Sequence, residues 1–210
     1  MIGGVFIATP CYSGAVSTAY LRSALASVPL LEARSIDCDI ETLDGCHDLA
    51  LARCILAHHF LQTKREHLLF IDDDIEFEAN AITSLLDRRK DVVAGSYVRR
   101  SLPIRAEHQL LTQPDATGLA QAEASGTGFM LIHRRVFELM RPHVGDFQLS
   151  GNGEVPDGPV MSRFFRFSLS RNQHLDEDMW FCRKWREIGG TIWVDTSVQL
   201  GHVGHFTFRP

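Results

Sequence analysis

The sequence predicts an α/β fold in which a mixed, mostly parallel β-sheet is flanked by helices. Strand-like runs alternate with helical patterns through the first half of the chain, which is typical of parallel strands joined by right-handed crossovers. Residues 68–71 are apolar at every position, as expected for a strand buried on both faces. The composition, with 45% hydrophobic and 22% charged residues, matches a globular chain with one sizeable core.

The first half of the chain, residues 1–98, is predicted to form an α/β unit of the nucleotide-binding kind. Its predicted elements alternate in the order strand 5–9, helix 16–34, strand 36–43, helix 47–62, strand 68–71, helix 79–87 and strand 91–97. Pro10 closes the first strand, and Pro29 is expected to kink or end the first helix.

The second half, residues 99–210, has less regular patterns but is assigned to the same single domain. Its predicted elements are an irregular hairpin or loop 99–118, a buried strand 126–132, a helix 133–140, a long loop 146–173, a helix opened by residues 175–178, and strands 191–195 and 198–200. A loop as long as 146–173 is usually functional or mobile. A substrate lid and simple surface irregularity are both compatible with it.

Three consecutive carboxylates, Asp72, Asp73 and Asp74, follow the buried strand 68–71. The carboxyl ends of strands in open α/β sheets are where ligands bind. Adjacent negative charges in a crevice raise one another's pKa values unless a cation compensates them, and hard oxygen ligands suit Mg²⁺ or Mn²⁺. Because alternate residues of an extended segment face the same way, Asp72 and Asp74 are the expected ligand pair. The structural alternative is that these acids only end a strand and cap the next helix.

Charge and cysteine content exclude several classes of protein. A net charge of −5 argues against a general nucleic-acid-binding surface. The five cysteines show no CxxC or repeated spacing, so neither a disulfide framework nor a zinc knuckle is expected. The first residues lack a charged segment, and their apolar run is too short for a signal peptide or membrane span. The expected location is the cytoplasm.

The order of motifs resembles that of GT-A-fold glycosyltransferases, close to the family-2-like enzymes, over nearly the whole chain. The motifs that carry the resemblance are a first strand ending in Thr9-Pro10, the DxD-type cluster at 72–74, the GTGF strand at 126–129, the Glu177-Asp178 pair on a helix, and the GHVG segment at 201–204. The resemblance implies a GT-A-like sheet with residues 1–98 as the nucleotide-binding half and 99–210 as the half that completes the acceptor and metal sites.

The resemblance implies a metal site formed by Asp72, Asp74 and His202, with Asp74 the more direct ligand. Mn²⁺ or Mg²⁺ would bridge the two phosphates of a nucleotide-sugar and neutralise charge on the departing diphosphate. His205, three residues further on, is a rival ligand to His202.

The resemblance also assigns the acid that removes the proton from the acceptor hydroxyl in an inverting enzyme. Asp178 is the implied general base, with Glu177 beside it, and Asp176 keeps the assignment open. The structural alternative is that acids in the first turn of a helix complement its dipole. A retaining enzyme of the same fold would need no such base.

Further residues are assigned to the donor site by the same resemblance. The implied nucleotide-sugar-binding set is Thr9, Pro10, Tyr12, Arg53, Asp72, Asp73, Gly126, Thr127 and Gly128. At position 54 a cysteine replaces the asparagine expected after the arginine. The arginines 99, 100 and 105 are candidates to neutralise phosphate, and Trp180 is either a sugar-stacking surface or a core residue.

The predicted function is therefore metal-dependent transfer of a sugar from a nucleotide-diphosphate donor, a UDP-sugar by resemblance, to an acceptor hydroxyl. The acceptor class stays open between glycan, lipid-linked sugar, small molecule, protein and modified nucleic acid. One alternative is a metal-dependent nucleotidyl or phosphoryl transferase, although no GxxxxGK[ST] loop is present. Another is a non-catalytic nucleotide-sugar-binding protein of the same fold.

Overall fold

A computed structural model describes residues 3–151, 156–170, 173–204 and 206–210. The rival ligand His205 lies outside the described residues. The helices are α1 Thr18–Ala33, α2 Leu49–Gln62, α3 Ala81–Asp87, α4 Arg134–Met140 and α5 Glu177–Glu187, with a 3₁₀ turn at Arg141–His143. The strands are β1 Val5–Cys11, β2 Cys38–Asp44, β3 His67–Ile71, β4 Ile75–Glu76, β5 Val92–Ser96, β6 His108–Leu110, β7 Leu119–Ser125, β8 Phe129–His133, β9 Asp146–Gln148, β10 Val160–Ser162, β11 Ser168–Ser170, β12 Gln173–Leu175, β13 Ile192–Gln199, β14 Gly201–Val203 and β15 Thr207–Phe208.

The central feature is an eight-stranded sheet in the order β2-β1-β3-β8-β5-β13-β7-β6. Strands β2, β1 and β3 are parallel, as are β5 and β13, whereas β8 and β7 run antiparallel to their neighbours. The sheet is therefore mixed and mostly parallel, which confirms the predicted fold class. The strand that delivers the aspartate cluster, β3, lies inside the sheet between β1 and β8.

Both faces of the sheet are covered, as the continuous apolar run of β3 requires. Leu68 and Phe70 pack with α2, α4 and α5 on one face, while Leu69 and Ile71 pack with α1 and α3 on the other. All five residues of β3 are buried. This rigid double-sided packing holds the carboxyl end of β3 in a defined position.

Several predicted elements differ from the observed ones. Helix α1 contains Pro29 and continues to Ala33, because Leu31, only 1% exposed, packs on the sheet and offsets the lost backbone hydrogen bond. Residues 126–128 precede β8 rather than belonging to it. The two predicted terminal strands, 191–195 and 198–200, are largely one strand, β13. Strand β7 was not predicted, because its small residues carry little strand signal.

The long segment 146–173 contains paired strands within its described residues. Strands β9 and β10 pair antiparallel, and β11 pairs antiparallel with β12. Among the described residues, no helix has the length and apolar character needed to cross a membrane.

Candidate active site

Four segments meet at one edge of the sheet. The parallel strands β1, β3 and β5 end there, and they deliver Tyr12, the aspartate cluster and Tyr97. Strand β8 runs antiparallel to β3, so it begins at the edge where β3 ends. Residues 126–128 therefore lie beside the aspartates, and the amide of Asp72 donates to the carbonyl of Gly128 at 3.0 Å. The edge is the crevice in which ligands of open α/β sheets bind.

Asp74 and His202 meet at this edge through a small second sheet. Strand β14 pairs antiparallel with β4, which opposes His202 to Ile75, and the amide of Val203 donates to the carbonyl of Asp74 at 2.8 Å. His202 Nε2 lies 3.5 Å from Asp74 Oδ1. His202 Nδ1 lies 2.9 Å from the carbonyl oxygen of Val98, an interaction that requires the proton on Nδ1. The contact with the Asp74 carboxylate requires a proton on Nε2 as well, so the pair forms with the imidazolium. Burial alone would lower the pKa of His202, but its hydrogen bonds to Asp74 and Val98 raise it. A cation bound at Nε2 would displace that proton.

Arg53 on α2 connects two carboxylates from distant parts of the chain. Its guanidinium donates to Asp72 Oδ1 at 2.9 Å through Nη2 and to Glu177 through Nη1. The Arg53 side chain is 2% exposed, so it is buried beneath the crevice surface and does not line the crevice. Arg53 forms an ion-pair bridge between the end of β3 and the start of α5, and its predicted contact with a nucleotide-sugar stays a prediction.

The three consecutive aspartates take different partners. Asp72 pairs with Arg53, whereas Asp74 pairs with Arg100 Nη1 at 2.8 Å and with His202. Burial, together with the neighbouring carboxylates of Asp74 and Asp72, raises the pKa of Asp73 to about 6. Within the described ranges, no group of three or more His, Cys, Asp or Glu side chains is arranged to hold a metal ion. The structure therefore assembles Asp74 with His202 but not the predicted triad with Asp72.

The GTGF segment packs tightly against Tyr97. Gly128 donates its amide to Tyr97 Oη at 3.0 Å, and a Cβ on Gly128 would lie 2.8 Å from both Asp72 Oδ2 and that hydroxyl. Thr127 is 1% exposed, and its Oγ1 has no hydrogen-bond partner among the described residues. Glycine is therefore required at 128 by the close approach of the backbone to the aspartate cluster.

Gly126→Ala is expected to damage this packing. The new Cβ would lie 2.2 Å from Tyr97 Oη and 2.7 Å from Glu107 Cγ, so the buried Tyr97 would have to move. Overpacking of this kind costs about 1–3 kcal/mol, and urea unfolding measures it. The matched control is Gly145→Ala, whose Cβ meets nothing within 4 Å. Equal stability of the two variants would contradict the close packing at Gly126.

Helix α5 brings the predicted base to the same edge. Glu177 and Asp178 occupy its first turn, and Asp178 Oδ1 accepts the amide hydrogen of Met179 at 2.6 Å. Burial raises the pKa of Asp178 to about 6, although the Arg53 guanidinium opposes that rise. Burial likewise raises the pKa of Glu177, whose carboxylate is held by Arg53. Asp176 precedes the helix and is exposed, whereas Asp178 is half-buried and has a raised pKa.

The predicted nucleotide-pocket residues of β1 have different environments. Thr9 is fully buried, with its hydroxyl 2.7 Å from Tyr20 Oη, and Pro10 is buried in β1. Tyr12 is 57% exposed, and its ring centroid lies 4.3 Å from that of His47. Of these three residues, Tyr12 alone offers a side-chain surface to a ligand.

The sequence did not identify Tyr97 as a site residue, and it left the role of Trp180 open. Tyr97 is buried, contacts the Gly128 amide and packs its ring edge-on against His202, with 5.6 Å between the ring centroids. Its position at the end of a predicted strand was a usable signal, because that strand ends at the same edge as β3. Trp180 is 7% exposed, which favours the core alternative over the sugar-stacking one. Arg99 pairs with Glu107, and Arg105 is exposed.

Comparison with known proteins supports the fold. No family model and no curated protein matches the chain. The crystal structure of A197 from STIV superposes with a TM-score of 0.56 at 16% identity, covering 96% of this chain and 86% of that one. S. aureus TarS 1–349, solved in complex with UDP-GlcNAc, gives 0.50 at 13% identity, with 91% of this chain and 55% of that one covered.

The fold is GT-A-like. The chain spans about half the length of TarS 1–349, since the superposition covers 55% of that structure. At identities of 16% and 13% these similarities establish the fold alone. Function depends on the site residues of this chain and not on its fold alone.

Proposed function

We propose that this protein is a glycosyltransferase that transfers a sugar from a nucleotide-diphosphate donor, a UDP-sugar, to an acceptor hydroxyl with inversion, and that it acts in the cytoplasm. The observation that carries the proposal is the pairing of His202 Nε2 with the Asp74 carboxylate, 3.5 Å apart, at the carboxyl edge of a GT-A-like sheet. The TarS structure, which holds UDP-GlcNAc, supports the choice of donor class.

The Asp74–His202 pair fits a divalent cation of the Mg²⁺ or Mn²⁺ kind. Such ions are commonly held by one or two protein ligands together with substrate phosphates. A metal-binding histidine typically donates its other ring N–H to a carbonyl or carboxylate, as His202 Nδ1 does to Val98. When bound, the cation would neutralise charge on the departing diphosphate. Arg100, which pairs with Asp74, is placed to add positive charge there.

The remaining residues have separate roles in the proposed reaction. The acceptor oxygen attacks the anomeric carbon, the bond from that carbon to the diphosphate oxygen breaks, and its electron pair leaves with the nucleoside diphosphate. The Asp178 carboxylate takes the hydroxyl proton. Arg53 holds the ends of β3 and α5 in register, and the exposed Tyr12 ring contacts the nucleoside. The backbone of residues 126–128 approaches the donor sugar.

A thermal-shift titration with nucleoside diphosphates and UDP-sugars, with and without Mn²⁺, tests the donor site. At a ligand concentration 100 times Kd, binding stabilises the native state by about 2.7 kcal/mol, a rise in Tm on the order of 5–10 °C for a chain of this size. We expect one uridine ligand to produce a metal-dependent rise. Asp74→Ala and His202→Ala should each abolish the metal-dependent part.

Asp91→Ala is the matched control for these variants. Asp91 precedes β5 at the opposite edge of the same sheet and pairs with Arg135. It should retain the full metal-dependent shift. A shift that survives both Asp74→Ala and His202→Ala would refute the assigned metal pair.

A further inference from the structure

A groove beside α5 concentrates positive charge on a chain that is negative overall. We call it the basic groove and define it by Arg163, Arg166, Arg183 and Lys184, with Trp180 at its base. Its volume is about 450 Å³. Glu187 is the single carboxylate among its described lining residues, whereas the whole chain carries a net charge of −5. The groove is therefore a local feature and not part of a generally basic surface.

Two of these arginines are held by aromatic rings. The Arg163 guanidinium lies 4.8 Å from the centre of the Phe147 ring, and that of Arg166 lies 5.6 Å from the Trp180 ring. Neither forms an ion pair with a described residue, and both are exposed. Ring contacts orient a guanidinium without using its N–H donors. Arg163 and Arg166 thus keep their donors available for an anion.

The other side of the groove is formed by Arg183 and Lys184, and Glu187 neutralises part of their positive charge. Glu187 accepts from Arg183 Nε at 3.0 Å and from Lys184 Nζ at 2.7 Å. Arg163 and Arg166 have no carboxylate partner among the described residues, so the described lining of the groove carries a surplus of positive charge. Cations confined to one groove repel one another, and a bound anion relieves that repulsion.

The basic groove adjoins a larger cleft that lies along α5. Leu175, Arg183 and Glu187 line both the groove and a neighbouring cleft of about 740 Å³, which also includes Asp176. Asp178 and Lys184 lie on the same helix, six residues apart, which corresponds to about 9 Å along its axis. Asp176 and Met179, on either side of Asp178 in sequence, line the neighbouring cleft, so an extended acceptor with its reacting hydroxyl at Asp178 would follow the cleft toward the groove.

We propose that the basic groove binds the anionic groups of an acceptor glycan, phosphodiesters or carboxylates, at units next to the hydroxyl that receives the sugar. The inference rests on the proposed glycosyl transfer and specifies its acceptor class. Arginine forks match phosphate and carboxylate oxygens in paired hydrogen bonds. A neutral acceptor would leave the surplus charge without a partner.

Binding of two anionic oligomers to the full chain tests the groove without donor or metal. The probes are short-chain inorganic polyphosphate and oligogalacturonate, titrated by calorimetry in metal-free buffer at low salt. We expect Arg163→Ala/Arg166→Ala to weaken binding of the preferred probe at least about tenfold, since two charge-assisted contacts are lost. The stronger probe identifies the anionic group as phosphodiester-like or carboxylate.

The matched control is Arg22→Ala/Lys64→Ala, which removes the same charge from two exposed positions away from the groove. It should bind the preferred probe as the unmodified chain does. Equal weakening in both double variants would show a non-specific charge effect and overturn the proposal. Tighter binding of single-stranded RNA or of anionic phospholipid vesicles than of either oligomer would also overturn it.

The metal-dependent thermal shift separates this inference from the proposed function. Arg163→Ala/Arg166→Ala should retain the nucleotide shift, because neither arginine lies at the edge that carries Asp74. Loss of oligomer binding with an intact nucleotide shift supports the acceptor groove. Absence of oligomer binding in the unmodified chain, with an intact nucleotide shift, refutes the groove and leaves the proposed function standing.

Discussion

Replacing Arg53 with methionine is expected to lower the free energy of unfolding by about 3–5 kcal/mol, because it leaves buried carboxylates without their partner. Glu177 is 4% exposed, and both Glu177 and Asp72 depend on the Arg53 guanidinium. For a chain of this size the loss corresponds to a decrease in Tm on the order of 10 °C. Guanidinium unfolding at pH 7 measures the difference directly.

The pH dependence of the same variant provides an independent check. Burial already raises the pKa of Glu177, and removal of Arg53 takes away the charge that opposes this rise. The native variant therefore binds more protons than its unfolded state, so its stability falls as pH rises above the unfolded pKa of the glutamate. The deficit relative to the unmodified chain should shrink as the pH is lowered from 7 toward 5.

Arg65→Met is the matched control, because Arg65 also holds two carboxylates but at the surface. Arg65 donates to Asp37 and Asp39 at 2.6 Å each, and the side chains of these aspartates are 78% and 41% exposed. Surface pairs contribute at most about 1 kcal/mol. If Arg53→Met were no more destabilising than Arg65→Met, the buried bridge would not stabilise the site.

Asp178→Asn is expected to reduce sugar transfer by about 10²–10⁴-fold, the usual contribution of a general base, while donor binding persists. Asparagine keeps the size of the side chain but cannot take the acceptor proton. The measurements are kcat with a sugar acceptor and the metal-dependent thermal shift with nucleotide. If nucleotide binding vanished together with transfer, Asp178 would have a role in donor binding instead.

The pH profile of kcat/KM is a second check on the role of Asp178. Asp178 acts as a base only when ionised, and burial raises its pKa to about 6. Activity should therefore rise with pH up to about 6 and level off above it. Asp176→Asn, at the exposed position before α5, should retain both the activity and the profile. If the fall in kcat/KM at low pH disappeared in Asp176→Asn, Asp176 and not Asp178 would be the general base.

Much of the site could be predicted from local sequence. The apolar run 68–71 identified a strand buried on both faces, and the three aspartates after it marked the ligand-binding edge. The periodicity of apolar residues predicted α2 and α5 with small errors at their ends. Arg53 and Asp178 were therefore correctly assigned to helices. These features depend on neighbours within a few residues, which is why a single sequence reveals them.

The partners of these residues were decided by the tertiary structure. The spacing of Asp72 and Asp74 predicted that both would face one ion, but Asp72 pairs with Arg53, whereas Asp74 pairs with Arg100 and His202. Strand β7 consists mostly of small residues with weak strand preference, and it is a strand because it pairs with β13 and β6. Tyr97 joined the site because β8 runs antiparallel and brings Gly128 to it.

The sequence by itself therefore determined the fold class, the sheet edge at which the aspartates lie and most of the residue types that meet there. The tertiary structure decided that β14 pairs with β4, which sets His202 beside Asp74. It also decided that Arg53 pairs with both Asp72 and Glu177, the latter 124 residues further along the chain than Arg53. The physical reason is that strand register and burial depend on long-range contacts, whereas helical and strand patterns arise from the nearest neighbours along the chain.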